Sequence, residues 1–113
     1  MDMWQRFCYT LAMRPYKHPT ANEFILERVL YALSDPVRLD IVRQLGRLGE
    51  ASCGELDGGR PKSSVSHHFR VLREAGLVHT KNVGTSHINT LRRGELQARF
   101  PGLLDAILSQ VSQ

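Results

Sequence analysis

Between Ser34 and Gly76 the chain is cut at short intervals by residues that start or stop helices, and this punctuation restricts the segment to a series of small helices. Asp35 is suited to cap a helix and Pro36 to fill its first position, where no amide hydrogen is needed. Val37, Leu39, Ile41, Val42, Leu45 and Leu48 then supply an apolar face until Gly49 stops the run. Glu50 to Gly59 has room for one short helical piece around Cys53 to Asp57 before the Gly58-Gly59 turn. Pro61 opens the next helix and Gly76 closes it. Along that helix Val65, Phe69 and Leu72 point one way, while Ser64, His67 and Arg70 lie on other faces.

The flanks extend the pattern. Phe24, Ile25, Leu26, Val29, Leu30 and Leu33 form a broad apolar stripe after a linker at Pro15 to Thr20. Leu77 to Asn82 and Ser86 to Leu91, joined by Val83-Gly84, read as an antiparallel hairpin. A last helix from Glu95 to Val111 carries Leu96, Phe100, Leu103, Leu104, Ile107, Leu108 and Val111, with Pro101 placed to kink or split it. Near the N-terminus Trp4, Phe7, Cys8 and Leu11 recur at helical spacing, which predicts a short helix from Asp2 to Met13. The expected fold is mainly α with a small β-hairpin wing, as one domain over residues 1–113, because this length and 42% hydrophobic content support one modest core. The two terminal stripes hold more large apolar residues than a lone domain of this size easily covers. Trp4, Phe7, Leu11, Phe100, Leu103, Leu104 and Ile107 are therefore expected to pair two copies around a two-fold axis.

Several function classes are disfavoured. No run approaches the roughly 18 apolar residues of a membrane span, and the N-terminus lacks the plan of a secretion signal, so no membrane partner and a cytoplasmic location are expected. Cys8 and Cys53 make neither a disulfide framework nor a zinc ligand set. Any chemical sensing would go through these two thiols, although two ordinary buried cysteines are the favoured reading. Asp35, Asp40, Glu55 and Asp57 show no arrangement with a nucleophile or base that would suggest an enzyme. The net charge of +4 is unevenly placed: residues 60–93 carry seven Lys or Arg against Glu74, a balance of +6, and the rest of the chain sums to −2. Such asymmetry suggests a polyanion partner.

A short helix, a Gly-Gly turn, a longer Ser- and His-rich helix and a basic hairpin are the parts of a winged helix-turn-helix in their proper order. A helix fits the major groove of double-stranded DNA. Lys62, Ser63, Ser64, Ser66, His67 and Arg70 offer groups that hydrogen-bond base edges and phosphates. Lys81, Asn82, Gly84 and Thr85 on the hairpin are placed to follow the backbone or enter the adjacent minor groove. The rival reading is a winged helix that serves as a protein-interaction or RNA-binding module.

Leu33-Ser34-Asp35-Pro36-Val37-Arg38-Leu39-Asp40-Ile41, Ser63-Ser64-Val65-Ser66-His67-His68-Phe69 and Val71-Leu72-Arg73-Glu74-Ala75-Gly76-Leu77-Val78, at these separations, resemble the ArsR-type repressors over roughly Phe24 to Leu91. The resemblance implies a dimer that binds an operator of two-fold symmetry and is released by an effector, which the sequence does not name. It places Ser63, Ser64, Ser66, His67 and Arg70 where the family reads DNA, and Gly84 at the wing tip. Metal sensors of that family often carry two cysteines where this chain has Ser52 and Gly54, and a second family site uses histidine on the last helix, where this chain has Asp105 and no His. No metal and no cofactor are therefore expected. His68 suits packing or phosphate contact, and His79 and His87 are expected to face each other across the hairpin as too small a set for zinc.

Overall fold

The computed structural model describes residues 16–110. Six helices follow in chain order: α1 (Leu26–Leu33), α2 (Pro36–Leu48), α3 (Cys53–Leu56), α4 (Lys62–Ala75), α5 (Arg93–Arg99) and α6 (Leu103–Leu108). The strands are β1 (Glu50–Ser52), β2 (Val78–Val83) and β3 (Ser86–Leu91), and a 3-10 turn at Ala21–Glu23 precedes α1. The expected helix from Asp2 to Met13, with Trp4, Phe7, Cys8 and Leu11, lies outside the described residues, as does Val111.

Local chemistry accounts for most of the boundaries. Asp35 caps α2: its carboxylate accepts the amide hydrogens of Val37 (2.8 Å) and Arg38 (3.2 Å), with Pro36 next in line. A capping box starts α3, where the Ser52 hydroxyl accepts from the Glu55 amide and the Glu55 carboxylate accepts from that of Ser52. Gly76 ends α4 at φ 92°, and the Leu77 amide reaches back to the Leu72 carbonyl at 3.0 Å. Between the paired residues Val83 and Ser86 the hairpin turns on Gly84-Thr85, and only Gly84 has positive φ, the pattern of a type II′ turn.

The hairpin is part of a three-stranded antiparallel sheet in the order β1-β3-β2. β1 is too short for a period-two pattern to register in the sequence. Its pairing of Ala51 with Asn89 ties the start of the helix-turn-helix to the wing. Asn89 is fully buried there: its amide donates to the Ala51 carbonyl at 3.2 Å, and its oxygen accepts the Thr80 hydroxyl at 2.6 Å. One apolar core runs from Phe24, Val29 and Leu33 through Ile41, Val42 and Leu45 to Val65, Phe69, Leu72, Leu77, Leu96 and Leu104.

Two expectations are corrected. The helix expected from Glu95 to Val111 is split at Phe100-Pro101-Gly102, one of the two outcomes expected of Pro101, with Gly102 taking φ 82°, and α5 and α6 insert Leu96 and Leu104 into the core. Leu104 is thereby removed from the expected pairing surface, whereas Phe100, Leu103 and Ile107 stay partly exposed. Ile25, Leu26, Leu30 and Leu48 are exposed rather than core, because the faces that α1 and α2 bury are narrower than their apolar stripes.

Gly76 offers a direct test of this packing. A Cβ at this position would collide with the Phe24 ring, and the backbone would be strained as well. Gly76→Ala is expected to cost about 3 kcal/mol, read as a lowered urea midpoint with an unchanged slope.

Candidate nucleic-acid interface

Helix α4 separates two faces. Val65, Phe69 and Leu72 are buried against the core, while Ser63, Ser64, His67 and Arg70 are exposed. Positions 63, 67 and 70 recur at helical spacing on that outward face. Lys62 and Ser66 flank it, half-buried, and the Ser66 hydroxyl donates to the Lys62 carbonyl at 2.9 Å. Arg70 lies 3.8 Å from Glu74 in a solvent-exposed pair that a phosphate can outcompete. The first turn holds no acid, so its unpaired amides face no negative side chain of their own helix.

Behind this face Arg38 fixes how α4 sits. Its guanidinium is buried and donates to the carbonyls of Ala32 (2.8 Å) and Tyr31 (3.3 Å) at the end of α1, and to His68 Nδ1 at 3.2 Å. Because a guanidinium only donates, His68 Nδ1 accepts and the ring proton sits on Nε2. Burial pushes the His68 pKa below its usual value, with the Asp35 carboxylate at 4.0 Å pulling the other way. His68 therefore serves packing and orientation, while its neighbour His67 faces solvent.

The wing presents Lys81, Gly84 and Thr85 to solvent. Asn82 is half-buried, its Oδ1 2.8 Å from His87 Nδ1, so it holds the hairpin together. His79 and His87 are not opposite each other: the register pairs His79 with Thr90 and Asn82 with His87. The His79 ring instead stacks on His18, with centroids 4.2 Å apart. The segment from Tyr16 to Thr20 is thus no plain linker. His18 Nε2 accepts the Thr80 amide hydrogen at 3.0 Å, Pro19 accepts from Arg92 at 2.6 Å, and Arg73 stacks over the Tyr16 ring. These contacts withdraw Arg73 and Arg92 from the basic patch counted in the sequence, since Arg73 is buried and Arg92 is also paired with Glu95 at 2.8 Å. Arg60, Lys62, Arg70, Lys81 and Arg93 retain side-chain exposure.

Of the two cysteines, Cys53 is buried, its sulfur accepts from the Asn89 amide at 3.4 Å, and burial pushes its pKa up. A low-pKa reactive thiol needs the opposite surroundings. Ser52, one of the positions where metal sensors carry cysteine, has its hydroxyl engaged in capping α3.

A helix-turn-helix domain family matches residues 33–81. The HTH-type transcriptional regulator YceK of Bacillus subtilis is 37% identical over 90 residues, covering 77% of this chain and 90% of that protein. Among solved structures, the transcriptional repressor BigR from Xylella fastidiosa is 34% identical with a TM-score of 0.60, the match covering 80% of this chain and 87% of that one. HlyU from Vibrio cholerae is 27% identical with a TM-score of 0.65, covering 78% and 92%. The chain belongs to the ArsR-type family of winged helix-turn-helix transcriptional regulators. This regulator is a DNA-binding protein, and no helix among its described residues is long and apolar enough to cross a membrane.

Sequence reasoning missed the inner shell of this regulator: Arg38, Asn89 and His18. Each is a polar residue whose role depends on partners distant in the chain, although the Arg38 position was visible within the Asp35-Pro36-Val37-Arg38 run.

Two outcomes follow from these contacts. Arg38→Met strips donors from the buried Ala32 carbonyl, from the part-buried Tyr31 carbonyl and from His68, and is expected to cost about 3 kcal/mol in chemical unfolding while weakening DNA binding through misplacement of α4. In the segment Tyr16 to Thr20, burial first and then the neighbouring His79, Arg92 and Arg73 lower the His18 pKa from 6.5 to about 4. The folded state thus favours the neutral ring, so this contribution to stability is fully present above the unfolded pKa of 6.5 and is lost as pH falls toward 4. Unfolding free energy measured from pH 7 to 4 should decline less steeply in His18→Asn than in the parent.

Proposed function

We propose that this regulator is a homodimeric repressor that binds an inverted-repeat operator, with α4 in successive major grooves and the wing along the flanking backbone. The observation that carries the proposal is the division of α4, which commits its apolar residues to the core and leaves Ser63, Ser64, His67 and Arg70 in one exposed stripe. His67 and Ser64 discriminate bases: a side-chain imidazole or hydroxyl reads donor and acceptor patterns at base edges. Lys62, Arg70 and Lys81 hold phosphates, and Ser63, Ser66, Gly84 and Thr85 let the backbone approach closely.

Dimerisation follows from exposed apolar surface. Leu26, Leu30 and Tyr31 on α1 are 41%, 47% and 60% exposed, beside the partly exposed Leu103 and Ile107 of α6. Pairing two such faces buries them and sets two recognition helices at a fixed separation, as a symmetric operator requires. Repression is the role named for the similar BigR protein.

Gel-shift titration on the regulator's own upstream DNA tests the assignment. His67→Ala should cost about 1–3 kcal/mol on the operator and little on random DNA, whereas Lys81→Ala should weaken both and reduce the salt slope by about one. Undiminished operator binding by His67→Ala would exclude α4 as the reading element in this orientation.

A further inference from the structure

An open groove of about 340 Å³ lies between α1, α2 and α6, lined by Leu30, Leu33, Leu39, Arg43, Ile107 and Gln110. Its walls are apolar apart from Gln110 and Arg43, and Arg43 is unusual. Its Nε is cut off from water and meets no hydrogen-bond acceptor, and among the described residues its guanidinium has no ion pair. A buried donor without an acceptor is costly unless something supplies one. Among the described residues no acceptor does so.

Two acids without a side-chain partner among the described residues stand on the groove's helices, Glu27 on α1 and Asp105 on α6. Asp105 precedes the groove-lining Ile107 by two positions, which sets it on the far side of α6. Glu27 precedes the groove-lining Leu30 by three positions, so it shares the exposed side of α1 with Leu30. One face thus carries an apolar patch, a guanidinium lacking an anion and a carboxylate lacking a cation. A surface holding both halves of a missing pair is self-complementary, and a two-fold axis lets each half meet its counterpart twice.

We infer that the occupant of this groove is a second copy of the chain, and that Arg43 of each copy pairs with Glu27 of the other, making this ion pair the determinant of which chains assemble. The inference rests on the dimer proposed above and adds the residues that give it selectivity. Apolar burial by Leu26, Leu30 and Ile107 supplies attraction to any greasy surface, whereas the charge pair penalises a partner chain that lacks it. It also offers an acceptor near a guanidinium whose Nε has none among the described residues.

Sedimentation equilibrium of the full chain, with circular dichroism to verify folding, separates the claims. Arg43→Glu places two acids together and should weaken the dimer at least about tenfold, as should Glu27→Arg. The double variant carrying both changes should recover most of the loss, and so should a mixture of the two single variants, whose heterodimer restores both pairs, one native and one reversed. Arg43→Met, which leaves no charge to bury, should fold and still dimerise more weakly than the parent. A parent dimer with unchanged affinity in Arg43→Glu and Arg43→Met, or a double variant no better than the singles, overturns the pairing while leaving the dimer standing. A parent that stays monomeric overturns both. Titration with octanoate that stabilises the monomer through Arg43 would assign the groove to a small apolar carboxylate and overturn the inference.

Discussion

The buried guanidinium of Arg38 joins the pieces that have to move as one body. Its planar fork reaches two carbonyls at the end of α1 and the imidazole of His68 on α4, while its own amide is held by the Asp35 cap of α2. A charged group in this position is favourable only because its surroundings supply acceptors on several sides. The arrangement explains why Asp35, Pro36 and Arg38 occur as a unit: the cap sets the first turn of α2, and that turn aims the guanidinium. The angle at which α4 leaves the body is thereby fixed by polar chemistry on its inner side, independently of the side chains on its outer side.

A similar division governs the sheet. Asn89 donates its amide hydrogen to the Ala51 carbonyl and accepts the Thr80 hydroxyl on its oxygen, tying all three strands through one buried side chain. Thr80 is then held a second time, by His18 from the segment preceding α1. The wing is consequently braced at its base while its tip, at Gly84 and Thr85, is left exposed. A rigid base with a free tip would suit the proposed contact of the wing with a DNA backbone whose groove width varies with sequence.

The elements between Ser34 and Gly76 were legible because capping and glycine chemistry is local: Asp35, Pro36, Gly49, Pro61 and Gly76 each act within a few residues. The outward face of α4 was legible for the same reason, since helical spacing alone assigns Val65, Phe69 and Leu72 to one side. What escaped was long-range. Leu104 looked like surplus apolar surface until the break at Gly102 folded α6 back onto the core, and β1 had no pattern of its own until β3 lay beside it. Net charge was the coarser guide, because the +6 balance of residues 60–93 includes Arg73 and Arg92, which are engaged with Tyr16, Pro19 and Glu95.

The sheet order β1-β3-β2 leaves β2 as an outer strand, with one side of its backbone turned away from any neighbouring strand. Such a row of amides is a template on which an extended segment of another molecule can add itself, the usual beginning of uncontrolled aggregation. In this chain the Thr80 amide on that side is already satisfied by the His18 ring, and the stack of His18 on His79 lays an imidazole over the strand's flank. The few residues before the first helix therefore cover part of this edge and leave one amide fewer for an added strand to pair with.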